Sequence, residues 1–364
     1  MALHIGIVGL PNVGKSTLFN ALTRTKGAQA ANYPFCTIEP NIGIVEVPDQ
    51  RLQKLAEMVK PQKVIPAAIE FKDIAGLVKG ASKGEGLGNQ FLHAIRESDA
   101  ICHVVREFQD GNVTHVDGSV DPKRDCEIIE MELILADLES IDKQIDKTEG
   151  AARSGDKMKQ KELSVLERMK AALASGKMAN TVEMTDEEQR LSRHFNLLSA
   201  KPILYALNIT EEAMKNVDPA AQRKTLGLPE SAEVIAICAK IEDDLQDLSP
   251  EEGLEMLREM GVESSGLDQL IHAAYHALGY MTYFTAGPQE VRAWNVRRGS
   301  TAPQAAGVIH TDFEKGFIRA ETIAYRDFVD CGGEQGAKEK GKMRSEGKEY
   351  LVQDGDIMHF KFNV

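Results

Sequence analysis

The stretch that decides the fold is Gly9-Leu10-Pro11-Asn12-Val13-Gly14-Lys15-Ser16, which fits the pattern G-x-x-x-x-G-K-[ST] of a phosphate-binding loop. The apolar residues 4–8 before it predict a buried strand, and the residues from Thr17 to position 22 predict the start of a helix. Such a loop lets backbone N–H groups surround phosphate oxygens at the positive end of a helix dipole. Lys15 would reach the β- and γ-phosphates, and the Ser16 hydroxyl would ligate Mg²⁺. The stretch therefore predicts a nucleoside triphosphate site that includes residues 12–17.

Composition and charge are those of an ordinary globular protein. The 364 residues are 42% hydrophobic and 27% charged, which is enough chain for two or three domains with their own cores. The net charge of −13 argues against a protein that coats nucleic acid, although local basic patches stay open. No apolar run approaches the ~20 residues of a membrane span, and no signal peptide precedes the first strand, so we expect a cytoplasmic protein without membrane contact. Without any C-x-x-C pair, five scattered cysteines predict reduced thiols: Cys36, Cys102, Cys126, Cys238 and Cys331.

Two further segments have the order and spacing of nucleotide switches. Thr37 ends a polar-flanked loop before a predicted strand, where a threonine can bind Mg²⁺ and sense the γ-phosphate. Asp73-Ile74-Ala75-Gly76 ends the strand-like run 65–71, so that Asp73 can hold Mg²⁺ through water and the Gly76 N–H can approach the γ-phosphate. The glycine-rich residues that follow are either a surface loop or a switch that rearranges on hydrolysis, and their position after Gly76 favours the switch.

The hydrophobic period divides the rest of the chain. From residue 128 apolar positions step by three and four, and a second stripe follows a turn at 150–155, which predicts an antiparallel helical hairpin inserted into an α/β domain. From residue 280 short alternating runs and a helical stretch at 305–315 predict a small α+β domain. The predicted domains are therefore 1–127 with 198–279, the insertion 128–197, and 280–364. Mixed charge at the hairpin tip favours a solvated face over an RNA contact, and the basic segment 338–348 leaves both interpretations open.

Two strands with following loops predict where the base is recognised. The strand 203–208 leads into Asn208-Ile209-Thr210-Glu211, and the strand 234–238 leads into Cys238-Ala239-Lys240, both at the edge where open α/β sheets bind ligands. Guanine-specific proteins use N-K-x-D here, because an aspartate accepts hydrogen bonds from guanine N1–H and its 2-amino group. This chain has no lysine, and glutamate replaces the aspartate, whereas an asparagine amide can pair with adenine N6 and N7. Adenine is therefore favoured.

Together these motifs resemble those of the YchF-type Obg-like ATPases, a branch of the translation-factor-related P-loop NTPases. The resemblance extends over the whole chain. It depends on the phosphate loop, the segments 32–37 and 76–86, the N-x-x-E loop and the C-terminal residues 280–364. It implies a G-domain-like α/β sheet with an inserted helical hairpin and a C-terminal β-grasp domain of the TGS type. It also implies binding of ATP, with or without GTP, slow hydrolysis with Mg²⁺, and association with the ribosome or its large subunit. RNA contact through the hairpin and the TGS domain is a further expectation.

The resemblance also suggests how water is activated. Leu77 stands where many related switches have a water-orienting glutamine, so another group must orient the water or the intrinsic rate is low. The resemblance nominates His115, in the polar loop 109–115, as a catalytic residue beside Lys15. Without the resemblance, His115 would be interpreted as a solvated loop histidine. Asn12 matches the residue that supports K⁺ in potassium-activated relatives, and such an ion could supply transition-state charge.

The sequence leaves two alternatives to an ATP-hydrolysing switch. The first is a true GTPase, which differs only in the base that it recognises. The second is an adaptor that holds ATP as a structural ligand with negligible hydrolysis. Leu77 favours the adaptor, while Lys15, Ser16 and Asp73 favour turnover.

Overall fold

The computed structural model describes residues 3–25, 41–74, 87–109, 120–262 and 264–363. Thr37, Gly76 and His115 lie outside the described residues. Among the described residues, no helix has the length and apolarity needed to cross a bilayer.

The described residues form twelve strands and fifteen α-helices. The strands are β1 His4–Val8, β2 Ile42–Glu46, β3 Lys63–Ile65, β4 Ala68–Asp73, β5 Ala100–Arg106, β6 Ile203–Asn208, β7 Glu233–Ile237, β8 Tyr280–Ala286, β9 Glu290–Arg297, β10 Phe317–Ala324, β11 Arg344–Glu346 and β12 Asp356–Phe362. The helices are α1 Lys15–Thr25, α2 Gln50–Val59, α3 Leu87–Glu97, α4 Pro122–Arg153, α5 Lys157–Ala174, α6 Asp186–Ser192, α7 Glu211–Met214, α8 Pro219–Leu226, α9 Ala239–Asp244, α10 Pro250–Glu259, α11 Gly266–Ala277, α12 Ala302–Ile309, α13 Thr311–Lys315, α14 Tyr325–Asp330 and α15 Glu334–Glu339.

The chain divides into two compact units. Within the described residues, one unit contains 3–25, 41–43 and 70–270, and the other contains 44–69 and 271–363. The predicted domain boundaries divide the chain differently, because they place 44–69 with the nucleotide-binding part, and they remain a prediction.

The phosphate-loop stretch belongs to a six-stranded sheet of order β2-β4-β1-β5-β6-β7. The pairs β4–β1, β1–β5, β5–β6 and β6–β7 are parallel, so their carboxyl ends meet at one edge. All seven residues of β5 are buried, as expected for a central strand covered on both faces. The predicted strand 65–71 is in fact two strands, β3 and β4, separated by Pro66, whose missing N–H cannot join a ladder.

The predicted helical hairpin is present as α4 and α5, which pack against each other. The helix α4 begins at Pro122, six residues before the predicted start, because Asp121 caps it and proline suits the first helical turn. The side chain of Asp156 caps α5 by accepting from the N–H groups of Met158 and Lys159. Both apolar stripes contribute buried residues, among them Ile134, Ile141, Leu166 and Met169. The change of period therefore located the hairpin, whereas the caps set its ends.

The C-terminal part forms a mixed sheet of order β11-β10-β12-β8-β9-β3. The central pair β12–β8 is parallel, while β8–β9 and β10–β12 are antiparallel, and α12 packs on β9 and β10. Tyr283 of β8 is fully buried and donates its hydroxyl to the Ala305 carbonyl at 2.9 Å. This is a β-grasp arrangement. The predicted helix 305–315 is instead two helices, because His310 is extended at φ −158° and its Nδ1 accepts from the Asp312 N–H.

Candidate functional site: a phosphate loop at the carboxyl edge of the sheet

The phosphate loop connects β1 to α1 at the carboxyl edge of the parallel sheet. Gly14 lies at φ +100°, and a Cβ there would approach the Asn208 Nδ2 to 2.4 Å, so both the backbone angle and the close contact require glycine. Asn12 also has a positive φ, +63°, which asparagine tolerates better than most side chains. The loop is therefore shaped by its residues at 12 and 14 before any ligand binds.

Lys15, the first residue of α1, is a buried ammonium. It is only 8% exposed, and its Nζ donates to the Leu10 carbonyl at 2.7 Å. Burial lowers the pKa of Lys15, and the nearby Asp73 carboxylate partly offsets that shift. A cation in this low-dielectric position is attracted to phosphate oxygens more strongly than a cation in water would be.

Ser16 and Asp73 lie together, as a magnesium site requires. The Ser16 hydroxyl donates to Asp73 Oδ2 at 3.2 Å, which joins the first turn of α1 to the end of β4. The other oxygen, Asp73 Oδ1, is buried and has no hydrogen-bond partner within the part of the chain described. Carboxylate and hydroxyl oxygens are ligands that Mg²⁺ prefers, directly or through water. The donor set therefore fits Mg²⁺ beside a bound triphosphate.

Asn208, at the end of β6, connects three loops. It is 7% exposed, its Nδ2 donates to the Val13 carbonyl at 3.1 Å, and its Oδ1 accepts from the Ala239 N–H at 3.3 Å. The amide thus holds the phosphate loop and the loop after β7 in fixed register. These two bonds use one N–H and one lone pair of the amide and leave the other N–H and the other lone pair for a base. Adenine recognition by Asn208 stays a prediction.

These loops surround a cavity of about 820 Å³. Glu211 and Lys240 lie in its wall, with Oε2 and Nζ 3.8 Å apart and both side chains largely exposed, so this ion pair is weak. The full lining is Asn12, Gly14, Lys15, Ser16, Thr17, Phe108, Gln109, Asn208, Ile209, Thr210, Glu211, Glu212, Cys238, Ala239, Lys240 and Asp243. Of the residues expected from the sequence and described here, only Val13 and Asp73 are not in this wall.

The sequence prediction omitted several wall residues. Phe108 and Gln109 lie just beyond β5 at the carboxyl edge, separated from it by Glu107, and Asp243 lies one turn into α9. Arg106, the last residue of β5, is not in the wall but contacts the phosphate loop from behind. The signal that could have found Phe108 is its position just beyond the carboxyl end of a strand-like run, the edge of the sheet that also made Asn208 a candidate.

The parallel sheet, the phosphate loop and the Ser16–Asp73 pair define a P-loop NTPase of the G-domain class. A family model described as "50S ribosome-binding GTPase" matches residues 4–137, and the model YchF-GTPase_C, described as "Protein of unknown function (DUF933)", matches 280–363. The chain is 58% identical to the Ribosome-binding ATPase YchF of Bacillus subtilis and 53% identical to that of Escherichia coli O157:H7, with all of each chain covered. The chain belongs to the YchF family.

A solved structure supports the same assignment. The YchF GTPase of Schizosaccharomyces pombe superposes with a TM-score of 0.88 at 39% identity, covering 99% of this chain and 97% of that one. A GTP binding protein from Pyrococcus horikoshii superposes with a TM-score of 0.59 at 19% identity, which supports the fold alone. The resemblance to the family and the fold expected from it are thus confirmed.

Proposed function

We propose that this protein is a Mg²⁺-dependent ATPase whose nucleotide state controls its association with the ribosome. The observation that carries the proposal is that a buried lysine, a serine hydroxyl bonded to Asp73, and the N-x-x-E loop all lie at one cavity at the carboxyl edge of the sheet. The relatives named Ribosome-binding ATPase YchF, similar over their full length, support both parts of the proposal.

The metal would be held by Ser16 and Asp73 on this chain, with Thr37 as the proposed third ligand. Bound there, Mg²⁺ would supply positive charge against the β- and γ-phosphate oxygens. Lys15 would supply a second positive charge, and the loop N–H groups would orient the phosphates. The Gly76 N–H would report on the γ-phosphate. We further propose K⁺ beside Asn12, which lines the cavity in its left-handed conformation.

His115 is the proposed residue that orients the attacking water. In the sequence, His115 comes six residues after Gln109, which lines the cavity. That closeness in sequence supports its nomination, because six residues of chain are long enough to reach across the cavity. Leu77, in the usual glutamine position, has no polar group to do so.

Adenine is proposed as the preferred base because N-x-x-E replaces N-K-x-D. Glu211 carries one more methylene than aspartate and lies beside Lys240, which competes for its carboxylate. We therefore propose that guanine gains little from the base loop, and that Ile209, Cys238 and Ala239 provide backbone and apolar contacts.

The proposed partner is the ribosome or its large subunit, in the cytoplasm. Residues 280–364 contain twelve Lys and Arg and twelve Asp and Glu, so the whole net charge of −13 belongs to residues 1–279. The C-terminal domain therefore meets an RNA surface with less electrostatic repulsion than the rest of the chain. RNA contact through this domain and the hairpin is part of the proposal.

Single-turnover phosphate release with limiting ATP tests the hydrolysis. The full chain should release phosphate from ATP in Mg²⁺ and K⁺ buffer, and ribosomes should change the rate. If the wild type released phosphate no faster than a Lys15→Ala variant, the protein would instead be the adaptor that holds ATP with negligible hydrolysis. Sedimentation with ribosomes in ATP and in ADP tests the second part, and equal co-sedimentation in both would contradict nucleotide control.

A further inference from the structure

Arg106 is a fully buried cation behind the phosphate loop. It is the last residue of β5, is 1% exposed, and is one of the largest fully buried side chains among the described residues. In the sheet it is paired with Asn208 of β6, so the two side chains emerge side by side at the carboxyl edge. Burying a guanidinium has a large desolvation cost, which suggests that this position serves a purpose beyond packing.

The guanidinium touches both the phosphate loop and the cavity wall. Its Nε donates to the Phe108 carbonyl at 2.9 Å, and its Nη1 lies 3.5 Å from the Asn12 carbonyl oxygen. Its central carbon is 4.5 Å from the centre of the Phe108 ring, within cation–π range. Phe108 lines the cavity. One side chain therefore fixes a wall residue and a loop residue at the same time.

Arg106 and Asn208 hold two consecutive carbonyls of the loop. Arg106 contacts the carbonyl of Asn12, and Asn208 contacts the carbonyl of Val13. In a planar trans peptide the N–H points away from the preceding carbonyl oxygen. With both carbonyls held behind the loop, the N–H groups of Val13 and Gly14 are directed to the other side, where an anion would bind.

We propose that Arg106 is a positioning residue for the phosphate loop, which orients its N–H groups toward the phosphates of a nucleoside di- or triphosphate. Its buried positive charge also adds attraction for those phosphates, because the surrounding dielectric is low. The inference rests on the proposed nucleotide binding and deepens it. It assigns to Arg106 the part of affinity that depends on the phosphates and not the part that depends on adenosine.

The test compares ADP with adenosine. Arg106→Met keeps volume but removes the charge and the donors, whereas Arg106→Lys keeps the charge and donors without the fork that reaches two carbonyls. The matched control is Lys201→Met, because Lys201 is a partly buried cation that donates to two backbone carbonyls, those of Arg96 and Ser98, and does not line the cavity. Each full-length variant is titrated calorimetrically with ADP and with adenosine in Mg²⁺ buffer.

The wild type should bind ADP far more tightly than adenosine. Arg106→Met should lose at least about tenfold in ADP affinity, with adenosine affinity unchanged and Arg106→Lys intermediate. Lys201→Met should keep both affinities even if its thermal stability falls.

Three results would overturn the proposal. Arg106→Met could keep wild-type ADP affinity, or it could lose ADP and adenosine affinity by the same factor, as a purely structural residue would. If Arg106→Met does not fold, the proposal is tested with Arg106→Lys instead. Wild-type ADP affinity in Arg106→Lys would then show that the two-carbonyl contact of the guanidinium does not orient the loop. A wild type that binds ADP and adenosine equally would instead contradict the proposed function itself.

Discussion

At the scale of single residues, Lys15 is the side chain on which the proposed chemistry depends most. Its ammonium is buried and is held by the Leu10 carbonyl, in position to exchange that oxygen for a phosphate oxygen. Lys15→Ala should weaken ATP binding by at least about tenfold, or ~1.4 kcal/mol, or abolish turnover. The control is Lys54→Ala, an exposed lysine of α2 that pairs with Glu57. Unchanged hydrolysis in the Lys15 variant would mean that this loop is not the site.

His115 carries the second prediction at this scale. A group that orients water in the transition state typically contributes 10²–10⁴-fold, so His115→Ala should lose roughly tenfold or more of kcat. The nucleotide Kd should barely move, because the proposed role concerns the water and not the phosphates. Both constants are measured in one K⁺ buffer. Equal rates would return His115 to a solvated loop residue, and a parallel loss of affinity would make it a binding or structural residue.

The sequence predicted some site residues much better than others. Residues 12–17 are consecutive, so one motif implies their shared site, and Asp73 and Asn208 each lie at the end of a strand. Arg106 was not predicted, because its contact with Asn12 joins residues 94 positions apart that meet only because β1 and β5 are neighbours in the sheet. Nor does the sequence show that the Asn208 amide bonds to Val13 and Ala239. Contacts that depend on sheet register are not visible in local pattern.

At the scale of elements, the inserted hairpin is anchored at its base by Asp137. This fully buried carboxylate of α4 accepts hydrogen bonds from the Leu198 N–H at 2.9 Å, the Ser199 N–H at 2.7 Å and the Ser199 hydroxyl at 2.5 Å. Burial raises the pKa of Asp137, and those hydrogen bonds oppose the shift. The residues after the hairpin are thus fixed to its first helix just before β6 begins.

Removing that anchor should destabilise the fold. Asp137→Ala leaves buried N–H groups without partners, at about 1–3 kcal/mol each, so a loss on the order of 3 kcal/mol is expected in urea unfolding. Asp142→Ala on the same helix removes only a solvent-exposed pair with Lys170 and should therefore lower the free energy of unfolding far less. Equal losses in the two variants would contradict an anchoring role for Asp137.

Helices were easier to predict than their ends and breaks. The α4–α5 hairpin follows from a local period of three and four, which any helix with one buried face must show. The break at His310 depends on a backbone angle and a single side-chain acceptor, and the early start of α4 depends on the Asp121 cap. Such boundaries are set by one or two hydrogen bonds and not by the periodic pattern.

At the scale of the whole molecule, residues 44–69 belong to the same compact unit as the C-terminal sheet. The strand β3 pairs in parallel with β9, and α2 packs on β8 and β9 with Leu52 and Leu55 buried. Arg51 binds Asp354 at 2.7 Å and lies over the Phe284 ring. Residues 44–69, which lie in the sequence between the proposed metal ligands Thr37 and Asp73, thus form part of the C-terminal unit.

A chain that ends at residue 279 should therefore be less stable than the full chain. It would expose Leu52 and Leu55 and leave β3 without β9, and burial of each leucine is worth about 1.5–3 kcal/mol. Urea unfolding should show an earlier midpoint, or an added transition, for the shortened chain. Arg51→Ala in the full chain is the single-residue counterpart, with a smaller shift in the same direction. An unchanged midpoint on truncation would mean that residues 44–69 fold without the C-terminal sheet.

The central claim is that the cavity formed by the phosphate loop and the N-x-x-E loop binds ATP as the nucleotide of an ATPase switch. The measurement that tests it most directly is a side-by-side titration of the full chain with non-hydrolysable analogues of ATP and GTP in Mg²⁺ and K⁺ buffer. We predict that the ATP analogue binds at least as tightly as the GTP analogue, because Glu211 is poorly suited to guanine and lies beside Lys240. A preference for the GTP analogue of about tenfold, or ~1.4 kcal/mol, would contradict the claim.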